Sequence, residues 1–207
     1  MLMCQTPDWS AGDRYLRENV PELAPLVEKY SPCPLRAKPQ SDYFTILLTG
    51  IVSQQLPPDV SQRLMQKLEQ LVGKPIMPQA ILDVPEEKLL GIGLVKQKID
   101  YLMAFANAIT SGQIVMENFV NMTDSQITKQ LLQVRGLGQW TIEMFLLLAL
   151  CRTDVVPTAD FIFKKELQQL LGLAAVPKRG QINQITEPWR PWRSLAVWYL
   201  WQHANNK

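Results

Sequence analysis

Three features of the sequence predict an all-α protein. Apolar residues recur at helical spacing in nearly every segment. No stretch shows the alternation of a half-buried strand. Prolines and glycines fall between the periodic segments, where they stop and start helices. About ten short helices are expected. With 207 residues, 47% of them hydrophobic, the chain is long enough for one domain, or one domain with two lobes, around a sizeable core.

The elements follow in order. Ser10 is expected to cap a first helix running toward Tyr30. "SPCPLRAKP" (31–39) holds three prolines and reads as a linker. Phe44, Leu47, Leu48 and Ile51 mark the next helix, which "QQLPPD" (54–59) breaks. Pro58 suits the first turn of a helix carrying Val60, Leu64, Leu68 and Leu71, and Gly73 ends it. Pro85 opens a short helix ending near Gly91, and residues 95–110 form another. Thr123 and Gln126 make a capping box ahead of Ile127, Leu131 and Val134. Residues 139–151 form a helix, and a further one follows Asp160 to about Leu171. A Pro/Gly-rich loop then leads to a last helix from about Trp192. "GIGLVKQKIDYL" (91–102) and "GLGQWTIEMFLL" (136–147) echo each other, as a short repeat or as two ordinary helix turns.

Composition narrows the chemistry. The longest apolar run is far short of a membrane span, and no signal peptide is expected. The three cysteines (Cys4, Cys33, Cys151) are odd in number and scattered. That argues against a disulfide framework or a Cys-rich zinc or iron–sulfur site, and fits a reducing cytoplasm. The single histidine, His203, argues against Ser-His-Asp and His-rich metal sites, so acid–base work falls to carboxylates. A net charge of +2 permits nucleic acid if a basic patch is local. Four of the six tryptophans lie between 189 and 201.

Two stretches carry candidate chemistry. In "LLQVRGLGQWTIEMFLLL" (131–148), Gly136 and Gly138 permit positive φ and close backbone approach just before a helix begins. Helix N-terminal N–H groups lack helical partners and sit at the positive dipole end, so this turn is an anion site able to take a phosphate. Arg135 adds charge, with Lys129 nearby in sequence. A tight αα-turn whose glycines only cap the preceding helix uses the same residues. The third glycine and the preceding strand of a dinucleotide fingerprint are missing. Downstream, in "RTDVVPTADFIFKKEL" (152–167), Pro157 halts any helix and Asp160 opens the next. Asp160 suits an N-cap. Its apolar neighbours Val155, Val156, Phe161, Ile162 and Phe163 also predict a partly desolvated carboxylate poised for charge chemistry.

"VRGLGQWTIEMFLLLALCRTDVVPTADFIFKK" resembles the helix-hairpin-helix plus Gly/Pro…Asp segment of the base-excision DNA glycosylases, most nearly the 3-methyladenine DNA glycosylase II family. "ILLTGIVSQQL" (46–56), "GLVKQKIDYL" (93–102) and "EPWRPWRSLAVWYLWQH" (187–203) agree with it. The resemblance implies a two-lobed all-α fold with a cleft between a lobe of about 40–152 and a lobe of about 1–39 plus 153–207. It places the catalytic carboxylate on Asp160 and the DNA-binding hairpin on Arg135, Gly136, Leu137, Gly138 and Gln139. The wedge loop falls on Gln54, Gln55 and Leu56, and the base pocket on Trp140, Trp201, Met144 and Phe161. Carbonyls of Leu132, Val134 and Leu137 would hold a monovalent Na+ or K+, with no other cofactor and no iron–sulfur cluster. Members usually carry Pro where this chain has Arg135, and often a second Asp at Ala159. Trp140 occupies the Schiff-base lysine position, so lyase activity is not expected. The implied function is monofunctional hydrolysis of alkylated purines from flipped nucleotides in duplex DNA, by a monomer. The alternatives are a non-enzymatic helix-hairpin-helix module, which lacks an acid placed like Asp160, and a glycosylase for oxidised, deaminated or mismatched bases. Trp189 and Trp192 read as core, with Trp192, Leu195, Ala196 and Tyr199 as the inward stripe of the last helix and Trp201 off it.

Overall fold

The computed structural model describes residues 5–207; Cys4 lies outside them. Among the described residues there are twelve α-helices, three 3-10 turns and no strand. They divide into two compact units, Lys38–Phe145 and the pair of segments Gln5–Ala37 and Leu146–Lys207. No helix among them is long and apolar enough to cross a membrane.

The expected first helix is two helices, α1 (Trp9–Asn19) and α2 (Ala24–Tyr30). Pro21 explains the break: it has no N–H to continue the ladder, and it pushes Val20 out of the helical region, to φ −133°. The cap of α1 is Asp8 and not Ser10. The Asp8 carboxylate accepts the Ser10 N–H at 3.1 Å and the Ser10 hydroxyl at 2.6 Å. The proline-rich segment 31–39 is not a loose linker. Trp9 Nε1 donates to the Leu35 carbonyl at 3.0 Å, and the Ala37 N–H to Thr6 Oγ1 at 3.0 Å. Cys33 is buried there, which pushes its thiol up to about 12. Asp13, buried on α1, is satisfied by the Ser31 hydroxyl at 2.6 Å and the Tyr199 hydroxyl at 2.5 Å.

The unit Lys38–Phe145 holds α3 (Tyr43–Ser53), α4 (Pro58–Val72), α5 (Pro78–Leu82), α6 (Glu86–Gly91), α7 (Lys96–Thr110) and α8 (Asp124–Leu131). The capping box at α8 forms as expected, with Thr123 Oγ1 and the Gln126 N–H 3.2 Å apart and the reciprocal pair 2.8 Å apart. The next helix, α9 (Gln139–Leu148), starts in this unit, and the division falls between its residues Phe145 and Leu146. Gly50 lets α3 approach α9: a Cβ there would lie 2.5 Å from a Thr141 methyl carbon. Phe44 stacks on Phe105, and Tyr43 meets Phe145 edge to face, in the core of this unit.

The other unit is completed by α10 (Phe161–Leu170), α11 (Arg179–Ile185) and α12 (Arg193–Asn205). α5 and α11 lie outside the periodic pattern because five and seven residues are too short to show one. The expected stripe on α12 is too narrow. Ser194 through Leu200 are all buried, so this stretch is enclosed on every side. Trp189 is fully buried, and Trp192 is half-buried against Trp9.

Candidate active site and nucleic-acid interface

The hairpin 134–140 joins α8 to α9. Its two glycines do different work. Gly136 has φ +99°, and a Cβ on it would lie 2.4 Å from the Tyr101 ring, so glycine is required there. Gly138 does not use the positive φ that glycine permits, and a Cβ on it would meet nothing within 4 Å. No local packing or backbone strain therefore demands glycine at 138. What the missing side chain leaves is open access to the start of α9. In the echo at 91–102 the order is reversed, with positive φ on the second glycine, Gly93, so the two turns are not copies in geometry.

α7 braces this region. Tyr101 lies against Gly136, and the exposed Arg135 guanidinium sits 5.6 Å from the Tyr101 ring centroid. Three residues earlier, Lys98 Nζ donates to the carbonyls of Val52 and of Gln54, the latter at 2.8 Å. Desolvation holds the Lys98 ammonium below the usual lysine range. The Gln54 amide donates to the Gly136 carbonyl at 2.8 Å, tying the loop after α3 to the hairpin. Next to it, Gln55 has φ +57°, rare for a non-glycine residue, and its side chain is exposed. The structure thus brings Gln54, Gln55 and Leu56 together with Gly136 in one unit. Gln139 is engaged locally, donating to Glu143 Oε1 at 2.9 Å, and Glu143 is buried. Trp140 and Met144 are half-buried on α9.

Asp160, Trp201 and Phe161 belong to the other unit. Asp160 caps α10 as expected: its Oδ1 accepts the Phe163 N–H at 2.7 Å. The same oxygen accepts Trp201 Nε1–H at 3.1 Å. The carboxylate is half-buried, and the expected apolar surround is only partly present. Val155, Val156 and Phe163 are buried, but Phe161 is 68% and Ile162 47% exposed. Those two side chains do not desolvate the acid. They line a groove of about 340 Å³ with Lys165 and Asn205, among others, whose lining includes neither Asp160 nor Trp201.

Sequence reasoning missed the residues that hold these loops. Lys98 and Tyr101 lie within the quoted stretch 93–102 but carried no assigned role. Asp154, Arg193 and Ser194 were within quoted motifs but carried no assigned role. The Arg190/Arg193 spacing, with an acid in the loop upstream, is the one signal that could have found them.

Residues 48–191 match the family described as HhH-GPD superfamily base excision DNA repair protein. The chain is 30% identical over 190 residues to DNA-3-methyladenine glycosylase 1 of Schizosaccharomyces pombe, covering 90% of this chain and 82% of that one. It is 27% identical over 204 residues to the alkylbase DNA glycosidase-like protein mag2 of the same yeast, covering 97% and 96%. Among solved structures, the S. pombe 3-methyladenine DNA glycosylase in complex with abasic DNA superposes with a TM-score of 0.84 at 26% identity, covering 94% of this chain and 97% of that one. The chain belongs to the HhH-GPD superfamily of base excision DNA repair proteins.

Proposed function

We propose that this protein is a monofunctional DNA glycosylase that hydrolyses the N-glycosidic bond of alkylated purines, of the 3-methyladenine and 7-methylguanine type, in duplex DNA. The observation that carries the reading is the Asp160 carboxylate. It is fixed by the Phe163 N–H and the Trp201 indole in a chain alike over nearly its whole length to glycosylases named for 3-methyladenine.

A base stacked in a duplex is out of reach, so the nucleotide must be extruded at a cost of a few kcal/mol. Gln55 and Leu56, on the loop held by the Lys98 and Gln54 hydrogen bonds, would fill the gap. A phosphate at the open N-terminal end of α9 meets dipole and N–H groups without a side chain at Gly138 in the way. A monovalent cation held by the carbonyls of Leu132, Val134 and Leu137 would add positive charge beside that phosphate. The Val134 carbonyl accepts one hydrogen bond, from Leu137, and has a second lone pair to offer.

A purine nucleotide alkylated at N3 or N7 carries a cationic base, which leaves readily. The C1′–N bond breaks, and its electron pair departs with the base. The deoxyribose becomes an oxocarbenium, which the Asp160 carboxylate stabilises. Water adds to C1′, and Asp160 takes its proton. Trp140 offers a π-face to the electron-poor base, contributing about 0.5–2 kcal/mol. With Trp140 where bifunctional relatives carry a Schiff-base lysine, no strand cleavage accompanies base loss.

The test is release of free bases from methylated duplex DNA, separated by chromatography. Free 3-methyladenine and 7-methylguanine with intact strands are expected. Tight binding to the same DNA with no base released would instead mark a non-enzymatic helix-hairpin-helix module.

A further inference from the structure

The start of α12, "WRPWRS", takes no part in the chemistry above, yet its side chains converge on the loop that presents the acid. The Ser194 N–H donates to the Thr153 carbonyl at 2.9 Å. Ser194 Oγ accepts the Val155 N–H at 2.9 Å and donates to the Val155 carbonyl at 3.2 Å. Arg193 Nη2 donates to the Asp154 carbonyl at 2.9 Å, and its Nε to Asp154 Oδ1 at 2.5 Å. Arg190 takes the other Asp154 oxygen. Three consecutive residues, 153–155, are thus each held through the main chain, and Ser194 is fully buried.

Little slack remains between that clamp and Asp160. Pro157 has its φ fixed by its ring. Two tight turns span the rest, from the Thr158 N–H to the Val156 carbonyl and from the Asp160 N–H to the Pro157 carbonyl, both 2.9 Å. The acid is then met again by the same helix. Trp201 lies seven residues after Ser194, two turns along one face of α12 or about 10 Å at 1.5 Å per residue. Its indole N–H reaches Asp160 Oδ1. One helix, buried from Ser194 to Leu200, therefore grips the acid loop at one end and the acid side chain two turns later.

We propose that Arg193, Ser194 and Trp201 are positioning residues for Asp160, so that α12 sets where the carboxylate stands and which oxygen faces the reacting carbon. On this account Trp201 serves through its N–H, in addition to any contact of its ring with a base. The proposal rests on the reading of Asp160 as the catalytic group.

The test is a double-mutant cycle on single-turnover base release at saturating enzyme, with spontaneous release subtracted. W201F keeps an aromatic ring while removing the indole donor together with one of the two fused rings, and R193K keeps the charge but cannot reach both Asp154 acceptors. Each is expected to slow release, W201F by about tenfold for a lost bond to a charged group. Affinity for an abasic-analogue duplex should stay within about twofold. In a D160A background the same changes should alter the residual rate by less than about twofold, because residues that act through one group are not additive with its loss. If R193K fails to fold, W201F decides alone. Release at the wild-type rate by W201F, well below its melting temperature, would overturn the proposal. So would an equal tenfold loss with and without Asp160. Unimpaired release by D160A would instead overturn the reading of Asp160 itself.

Discussion

The hairpin 134–140 and the loop 153–160 are both short connections into the first turn of a helix, but they treat that helix end in opposite ways. At α10 the protein supplies its own anion: the Asp160 carboxylate accepts the Phe163 N–H. At α9 the corresponding approach is through Gly138, which has no side chain and no neighbour within 4 Å of where one would stand. The acid loop is clamped by a buried serine and an arginine. The hairpin is shaped by one glycine beneath Tyr101 and one amide from Gln54. On the proposed function, the difference separates two tasks. A group that would face a developing charge is fixed from several sides. A grip on a repetitive phosphate backbone would be left open, because backbone N–H groups and a helix dipole need only access.

The largest expected effect is on the acid. Asp160→Asn preserves size and most capping ability while removing the charge, so single-turnover base release should fall roughly 10²–10³-fold, about 2.7–4 kcal/mol, with little change in melting temperature. Gly136 and Gly138 come next and separate structure from grip within one turn. Gly136→Ala combines strained positive φ, about 1–2 kcal/mol, with a clash against Tyr101, about 1–3 kcal/mol, and should lower the melting temperature by several degrees. Gly138→Asp should leave the melting temperature nearly unchanged. It should weaken binding to damaged and undamaged duplexes alike by about tenfold or more, since its carboxylate stands where a phosphate is expected. Equal thermal loss in both variants, measured by calorimetry, would show that the turn is only structural. The smallest effect is on selectivity. Trp140→Ala should reduce excision of cationic purines about 2- to 30-fold, with duplex affinity within about threefold. Equal loss on cationic and neutral bases would make Trp140 a packing residue.

Much of this was legible in the chain. Helical spacing, proline breaks and the Thr123/Gln126 capping box are local signals, and the all-α architecture follows from them. Asp160 was legible as a cap because an acid after Pro157 and before an apolar run has few other uses. What the sequence hid is tertiary. Gly136 and Gly138 look alike, and only Tyr101, 35 residues earlier, tells them apart. Phe161 and Ile162 look like core beside the acid, but α10 buries Phe163, Glu166 and Leu167 and leaves those two outside. Lys98 looks solvated, yet it closes the end of α3. Arg193 and Ser194 act on a loop about forty residues upstream, a separation at which no periodicity speaks.

The division between grip and chemistry is tested most directly by measuring two quantities on Asp160→Asn and Gly138→Asp side by side: affinity for an abasic-analogue duplex, and single-turnover release of 3-methyladenine at saturating enzyme. The account predicts a crossed result. Asp160→Asn should bind as well as the unaltered protein, or more tightly since a carboxylate near the DNA backbone is gone, and release base roughly 10²–10³-fold more slowly. Gly138→Asp should bind more weakly and, once saturated, release base at close to the normal rate. Near-normal release by a well-folded Asp160→Asn protein, or parallel loss of affinity and rate in both variants, would contradict it.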